Sequence, residues 1–174
     1  MTSRRLISLI AGASAITLSA AALAACGGGG SSSATVPTTP SGRAATLGVD
    51  DNNDLGNILV DSRARTLYLF QKDSNGKSSC FGACASQWPP LRVTGMPALG
   101  SGLTASRVGT IRRSDGKPQV IYNGHPLYRF EGDQSAGQTN GQGINAFGAN
   151  WFGVTPAGSA ASGTGSNSGG TPGY

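Results

Sequence analysis

The feature that most constrains this chain is that its folding region is written twice. Shifted by 60 residues, Val60 to Asp73 (VDSRARTLYLFQKD) lies on Val120 to Asp133 (VIYNGHPLYRFEGD). Val60, Leu67, Tyr68, Phe70 and Asp73 then meet Val120, Leu127, Tyr128, Phe130 and Asp133. With three more residues inserted, Cys80 to Val93 lies on Gly143 to Pro156, which superposes Trp88 on Trp151. Each half therefore reads strand, Tyr-x-Phe-x-x-Asp, glycine-rich loop, Trp. A lone hairpin is marginal in water, whereas two hairpins that share an apolar face bury one core. The repeat thus specifies two halves that fold together.

Within each half the alternation of LYLF and LYRF is a strand period that sets Tyr and Phe on one face. Asn123-Gly124, between two apolar runs in QVIYNGHPLYRF, specifies a two-residue hairpin turn. Asp115-Gly116 supplies a second turn, so Val108 to Phe130 reads as a three-stranded meander. In the first half NILVDSRARTLYLF reads as a hairpin with a longer loop. CFGACASQW makes a short helix that Pro89-Pro90 stops, and Trp151 to Thr155 is a closing strand. The expected architecture is mainly β: two tandem hairpin-based repeats, about 56–93 and 117–156, forming one antiparallel sheet or small barrel with a short helix near Cys84. Tyr68, Phe70, Trp88, Tyr128, Phe130 and Trp151 are most simply its core, and an exposed carbohydrate-stacking platform is the alternative.

The flanks say where this domain works. MTSRRLISLIAGASAITLSAAALAAC has two arginines, an uncharged run from Leu6 to Ala25, and then a cysteine, the layout of an export signal. Leu23-Ala24-Ala25-Cys26 resembles a bacterial lipobox, in which the signal (1–25) is cut before a cysteine that then carries lipid. An uncleaved membrane-spanning helix is the competing reading. Ser3-Arg4-Arg5 half-matches a twin-arginine motif, so Sec and Tat export both stay open. Two acyl chains on Cys26 make a stable anchor. Residues 26–45 read as a lipidated cysteine plus flexible tether, 46–157 as the β domain, and 158–174 as a disordered low-complexity tail.

Removing the signal leaves 11 Lys and Arg against 8 Asp and Glu. Those cations are scattered, with Arg112-Arg113 the only adjacent pair, which argues against a nucleic-acid partner. A mild positive charge suits contact with acidic envelope polymers or lipid head groups, or with another envelope protein.

The lipobox, Tyr68-Leu69-Phe70-x-x-Asp73, Cys80-Phe81-Gly82-Ala83-Cys84, Trp88-Pro89-Pro90-Leu91, Tyr122-Asn123-Gly124-His125-Pro126-Leu127-Tyr128 and Gly141-x-Gly143 together resemble the bacterial lipoproteins described as a secreted repeat of unknown function. The resemblance spans nearly the whole folding region. It implies export, lipidation and tandem repeats, and it brings no catalytic residues with it. The second half departs from the first by carrying Gly143 and Phe147 where the first has its cysteine pair.

With Cys26 given to lipid, two cysteines remain, and an even pair in an oxidising compartment predicts a Cys80–Cys84 disulfide. The competing chemistry is copper held by Cys80, Cys84, His125 and Met96, since thiolate with imidazole or thioether suits that metal. Trp88 stands where a binuclear copper site would want histidine, and the alternating helices and strands of the thioredoxin-like copper chaperones are absent. No nucleophile elbow surrounds His125, so a hydrolase has no ordered context. Asp73 and Asp133 directly follow strands and are expected to cap turns through backbone N–H groups. Neither DSNG nor GDQSAGQTNGQG has the ligand spacing of a calcium loop. The reading reached from sequence is a lipid-anchored, extracytoplasmic, non-catalytic binding module without a cofactor. The alternative is a copper-handling or electron-transfer accessory.

Overall fold

The computed structural model describes residues 46–163. The signal segment, Cys26, the tether and residues 164–174 lie outside them. Strand β1 (Leu47–Asn52) turns back antiparallel on β2 (Gly56–Asp61), and the short β3 (Tyr68–Phe70) follows. After helix α1 (Ala83–Gln87) and a long connection comes the expected meander of β4 (Val108–Arg112), β5 (Pro118–Tyr122) and β6 (His125–Pro126). Asn123 and Gly124 make its second turn with φ of 48° and 82°, the left-handed pair a tight hairpin needs. Strands β7 (Asn145–Ala146) and β8 (Ala149–Gly153) close the chain, with β8 antiparallel to β3.

The two repeats interlock around one central, doubly bonded pair. Tyr68 N–H donates to Tyr128 O at 2.9 Å, and Tyr128 N–H donates back to Tyr68 O at 3.0 Å. Bonds repeat outward from it in matched fashion. Val154 N–H reaches Leu67 O as Leu91 N–H reaches Leu127 O, and Gln71 N–H reaches Asn150 O as Glu131 N–H reaches Gln87 O. Segments 87–91, 127–131, 67–71 and 150–154 thus form one antiparallel ladder with an approximate two-fold axis at the Tyr68–Tyr128 pair.

Alternation along the strands fills both faces of this ladder. Leu67, Leu69, Leu127, Leu91 and Val154 join Leu47, Leu59, Val120 and Tyr122 in an aliphatic cluster on one face. Tyr68, Phe70, Tyr128, Trp88 and Trp151 join the cysteines in an aromatic cluster on the other. With both faces covered, β3 is buried at all three of its residues, and the matching strand is interrupted at Arg129, which is half-buried. The aromatic face is packed so tightly that one glycine has no room for a side chain. A Cβ on Gly141 would lie 2.8 Å from the Tyr68 ring and 2.9 Å from the Trp88 ring. Gly141→Ala is therefore expected to cost about 1–3 kcal/mol by overpacking, read as a lower urea midpoint with the slope unchanged.

Several expectations need correction. The sheets close no barrel among the described residues. The halves are not in register at 60 throughout: Leu59, not Val60, is the equivalent of Val120, because Leu59 N–H donates to Val154 O and its carbonyl accepts Leu67 N–H, as Val120 does with Leu91 and Leu127. The first half has one extra loop residue, accommodated by Ala64 at φ 57°. Cys80 to Ser86 and Gly143 to Ala149 also differ, since the first contains α1 and the second leads into the β7–β8 hairpin. Finally, the segment after residue 157 is not all tail: Ala161 is buried, its N–H bonds Gly153 O, and its carbonyl accepts Gln142 Nε2.

Candidate functional site

The polar residues of the repeated motif are used across the two-fold axis. Tyr68 Oη donates to Asp133 Oδ2 at 2.6 Å, and Tyr128 Oη donates to Asp73 Oδ2 at 2.6 Å. Each aspartate also caps its own loop, as expected: Asp73 Oδ1 accepts Ser79 N–H and Asp133 Oδ1 accepts Asn140 N–H. Burial raises both carboxyl pKa values despite these donors. Burial, aided by the facing carboxylates, pushes both tyrosine hydroxyls well above their ordinary range. Both hydroxyls are thus held protonated as donors.

The rings follow the same symmetry. Phe70, Trp151, Trp88 and Phe130 form a column, with Phe70 on Trp151 at 4.0 Å, Trp151 on Trp88 at 4.0 Å and Trp88 on Phe130 at 4.3 Å between centroids. Tyr68 stands edge-on to Trp88 and Tyr128 edge-on to Trp151. Both indoles are completely buried, so this column is core and not a carbohydrate platform. The two indole N–H groups depart from the symmetry. Trp151 Nε1 donates to Ala146 O on β7, whereas Trp88 Nε1, on the helical side, is buried without a partner.

Open surface lies around the β4–β5 hairpin. On one side a cleft of about 560 Å³ runs between residues 75–78, Phe81, Ile111–Ser114 and Ile121. Its floor holds the buried Arg113, whose guanidinium donates to Ser78 Oγ, Gln119 Oε1 and Cys80 O and lies 4.8 Å from the Phe81 ring centroid. On the other side a cleft of about 680 Å³ includes Leu91, Arg92, Met96, Lys117 and Arg129 in its lining. A smaller one, lined by Thr110, Ile111, Arg112 and Pro118, shares residues with both. No Asp or Glu lines any of the three.

The family described as a secreted repeat of unknown function matches residues 51–92 and 109–155, one match on each structural half. The chain belongs to this family. No curated protein and no solved structure matches it. Being a secreted repeat makes it an extracytoplasmic protein, and the two matched stretches each contain one Tyr-x-Phe-x-x-Asp motif and its Trp.

In this secreted repeat Cys80 and Cys84 are joined as a disulfide, buried against the aromatic column. His125 is half-buried at the start of β6, opposite Tyr122. Met96 is 73% exposed and lines the larger cleft on the far side of the hairpin. Among the described residues no three His, Cys, Asp or Glu side chains are grouped to hold a metal. The bridge closes a short loop, so Cys80→Ala with Cys84→Ala is expected to lower stability by about 2 kcal/mol. The near-ultraviolet signal of the tryptophan column should survive, because Trp151 keeps its place with no bridge beside it. Global unfolding of that variant would contradict this.

Sequence reasoning missed Asp61 and Arg113. Asp61 is fully buried, accepts Arg63 N–H and Arg65 N–H on one oxygen, and pairs through the other with Arg129 Nε at 2.6 Å and Arg65 Nη2 at 2.9 Å. Burial alone would raise its pKa, but the Arg129 pair and the backbone donors outweigh it and hold the carboxyl below its ordinary value. Its stabilisation is therefore present above the unfolded-state pKa and is lost as pH falls through the lower folded value. Asp61→Asn should be less stable than the native protein at neutral pH, and the gap should close as pH falls below about 3.9. Urea unfolding at several pH values checks this, and a gap independent of pH would refute it.

Proposed function

We propose that this chain is a lipid-anchored, extracytoplasmic binding module of the bacterial envelope, with no chemistry of its own. The observation that carries the reading is the division between core and surface. Every hydroxyl and carboxylate of the repeated motif is taken up by its counterpart in the other half. What the molecule presents instead are clefts lined by cations and apolar side chains. The lipobox at Leu23–Cys26 and the family's description as secreted support the location.

The test is acylation and fractionation of the full chain in a bacterial host. Native protein is expected in the membrane fraction with palmitate label, and Cys26→Ser is expected to lose the label and leave the membrane. Unacylated native protein in the medium would overturn the anchored reading. Intact mass before and after reduction and Cu(I) addition tests the copper alternative. One copper held only by the reduced protein, and lost in Cys84→Ser, would replace the binding module with a metal carrier.

A further inference from the structure

The approximate two-fold axis makes the two hairpins equivalent for folding, so differences between them report what folding does not require. Aligned by the ladder, β4 position 111 corresponds to 50, 112 to 51, 113 to 52 and 115 to 54. The first hairpin therefore carries Asp50, Asp51, Asn52 and Asp54 where the second carries Ile111, Arg112, Arg113 and Asp115. One hairpin is acidic and the other mostly basic. The one carboxylate on the basic tip, Asp115, is paired with Arg92 at 2.9 Å.

Around this basic hairpin the three clefts share lining residues and so form one track. Arg92, Lys117 and Arg129 lie on one side, Arg112 at the crossing, and Lys77 and Arg113 on the other. Arg129 is paired with Asp61 and Arg113 is buried, so the exposed Lys77, Arg112 and Lys117 carry most of the track's charge. Such a run of cations favours an extended polyanion over a single small anion. The track is not charge alone. Phe81 is 43% exposed, with Arg113 against its ring, and the half-buried Ile111 and Ile121 complete an apolar wall. The disulfide brackets Phe81, fixing this aromatic at the cleft edge. An aromatic face beside cations matches a chain of pyranose rings carrying carboxylates: sugar C–H faces pack on the ring and the acid groups meet Arg112 and Lys77.

We infer that the β4–β5 hairpin and the Phe81 loop bind an acidic polysaccharide of the envelope or its surroundings. This rests on the binding-module reading and names its ligand class. The test uses the full chain in detergent micelles and the fluorescence anisotropy of labelled oligogalacturonate. Binding is expected, weakening roughly tenfold or more in Arg112→Glu and in Lys77→Glu, with thermal midpoints unchanged because both side chains are exposed. Phe81→Ala should also weaken it severalfold, and a labelled neutral dextran should not bind.

Arg63→Glu, the same charge change on an exposed loop outside the track, should leave affinity intact. Equal weakening by Arg63→Glu would reduce the effect to net charge and overturn the site. So would indifference to Phe81→Ala, or preferential displacement of the probe by polyphosphate, by a single-stranded oligonucleotide or by anionic phospholipid vesicles. Because the assay does not depend on acylation, loss of glycan binding with intact palmitate labelling removes this inference alone. The reverse pattern removes only the anchor.

Discussion

Trp151→Ala is expected to lower the unfolding free energy by about 3–5 kcal/mol, the usual cost of removing a large buried aromatic. Trp151 is enclosed by Phe70, Trp88 and Tyr128, and it joins the aromatic residues of one repeat to those of the other. A domain of this size has roughly 5–15 kcal/mol in all, so the variant should be largely unfolded in mild denaturant. Trp88→Ala should cost nearly as much, since Trp88 has the matching neighbours Phe130, Trp151 and Tyr68. Urea unfolding followed by far-ultraviolet dichroism measures both. A loss below about 1 kcal/mol for either, as at an ordinary surface site, would mean that the rings are not the shared core.

The tyrosine hydroxyls give the second large effect, and the structure predicts that the two are unequal. Tyr68→Phe removes the donor to Asp133 Oδ2 and also the acceptor of Gly141 N–H, leaving two buried polar groups short of a partner. It should cost about 2–3 kcal/mol. Tyr128→Phe removes the donor to Asp73, but that carboxylate keeps Ser79 N–H and Oγ, and Ser78 Oγ keeps Arg113. Its cost should be about 1–2 kcal/mol. A double-mutant cycle of Tyr68→Phe with Asp133→Ala should show coupling across the repeats. Additivity in that cycle, or a larger loss at Tyr128, would contradict the assignment.

Much of this was legible because the repeat and the strand period act on the same residues. LYLF and LYRF announce strands whose Tyr and Phe share a face, and Asn-Gly fixes a turn that few other dipeptides can make. The helix before Pro89-Pro90 and the Cys80–Cys84 bridge were likewise readable. What sequence could not give was the pairing between halves. That each aspartate would serve the opposite repeat's tyrosine follows from the antiparallel Tyr68–Tyr128 pair, and register between distant strands leaves no local signature. Strand β1 escaped notice because LGVDDN ends in the polar run Asp50-Asp51-Asn52, and β7 is only two residues long. Arg113 looked like a surface charge beside Arg112, yet its guanidinium is buried under Phe81 by partners contributed from another loop. The basic hairpin became meaningful only once the two-fold axis showed which acidic residues stand in its place.

The claim on which everything else depends is that the two repeats are obligate halves of one core, leaving their asymmetric surface free to bind. It is tested most directly by expressing residues 46–103 and 104–163 separately and together, and recording amide spectra with sedimentation mass. Each half alone is expected to give a collapsed, unfolded spectrum, and the mixture the dispersed spectrum of a one-to-one complex. A well-dispersed spectrum from either half at monomer mass would show that one repeat folds by itself, and the shared core described here would be wrong.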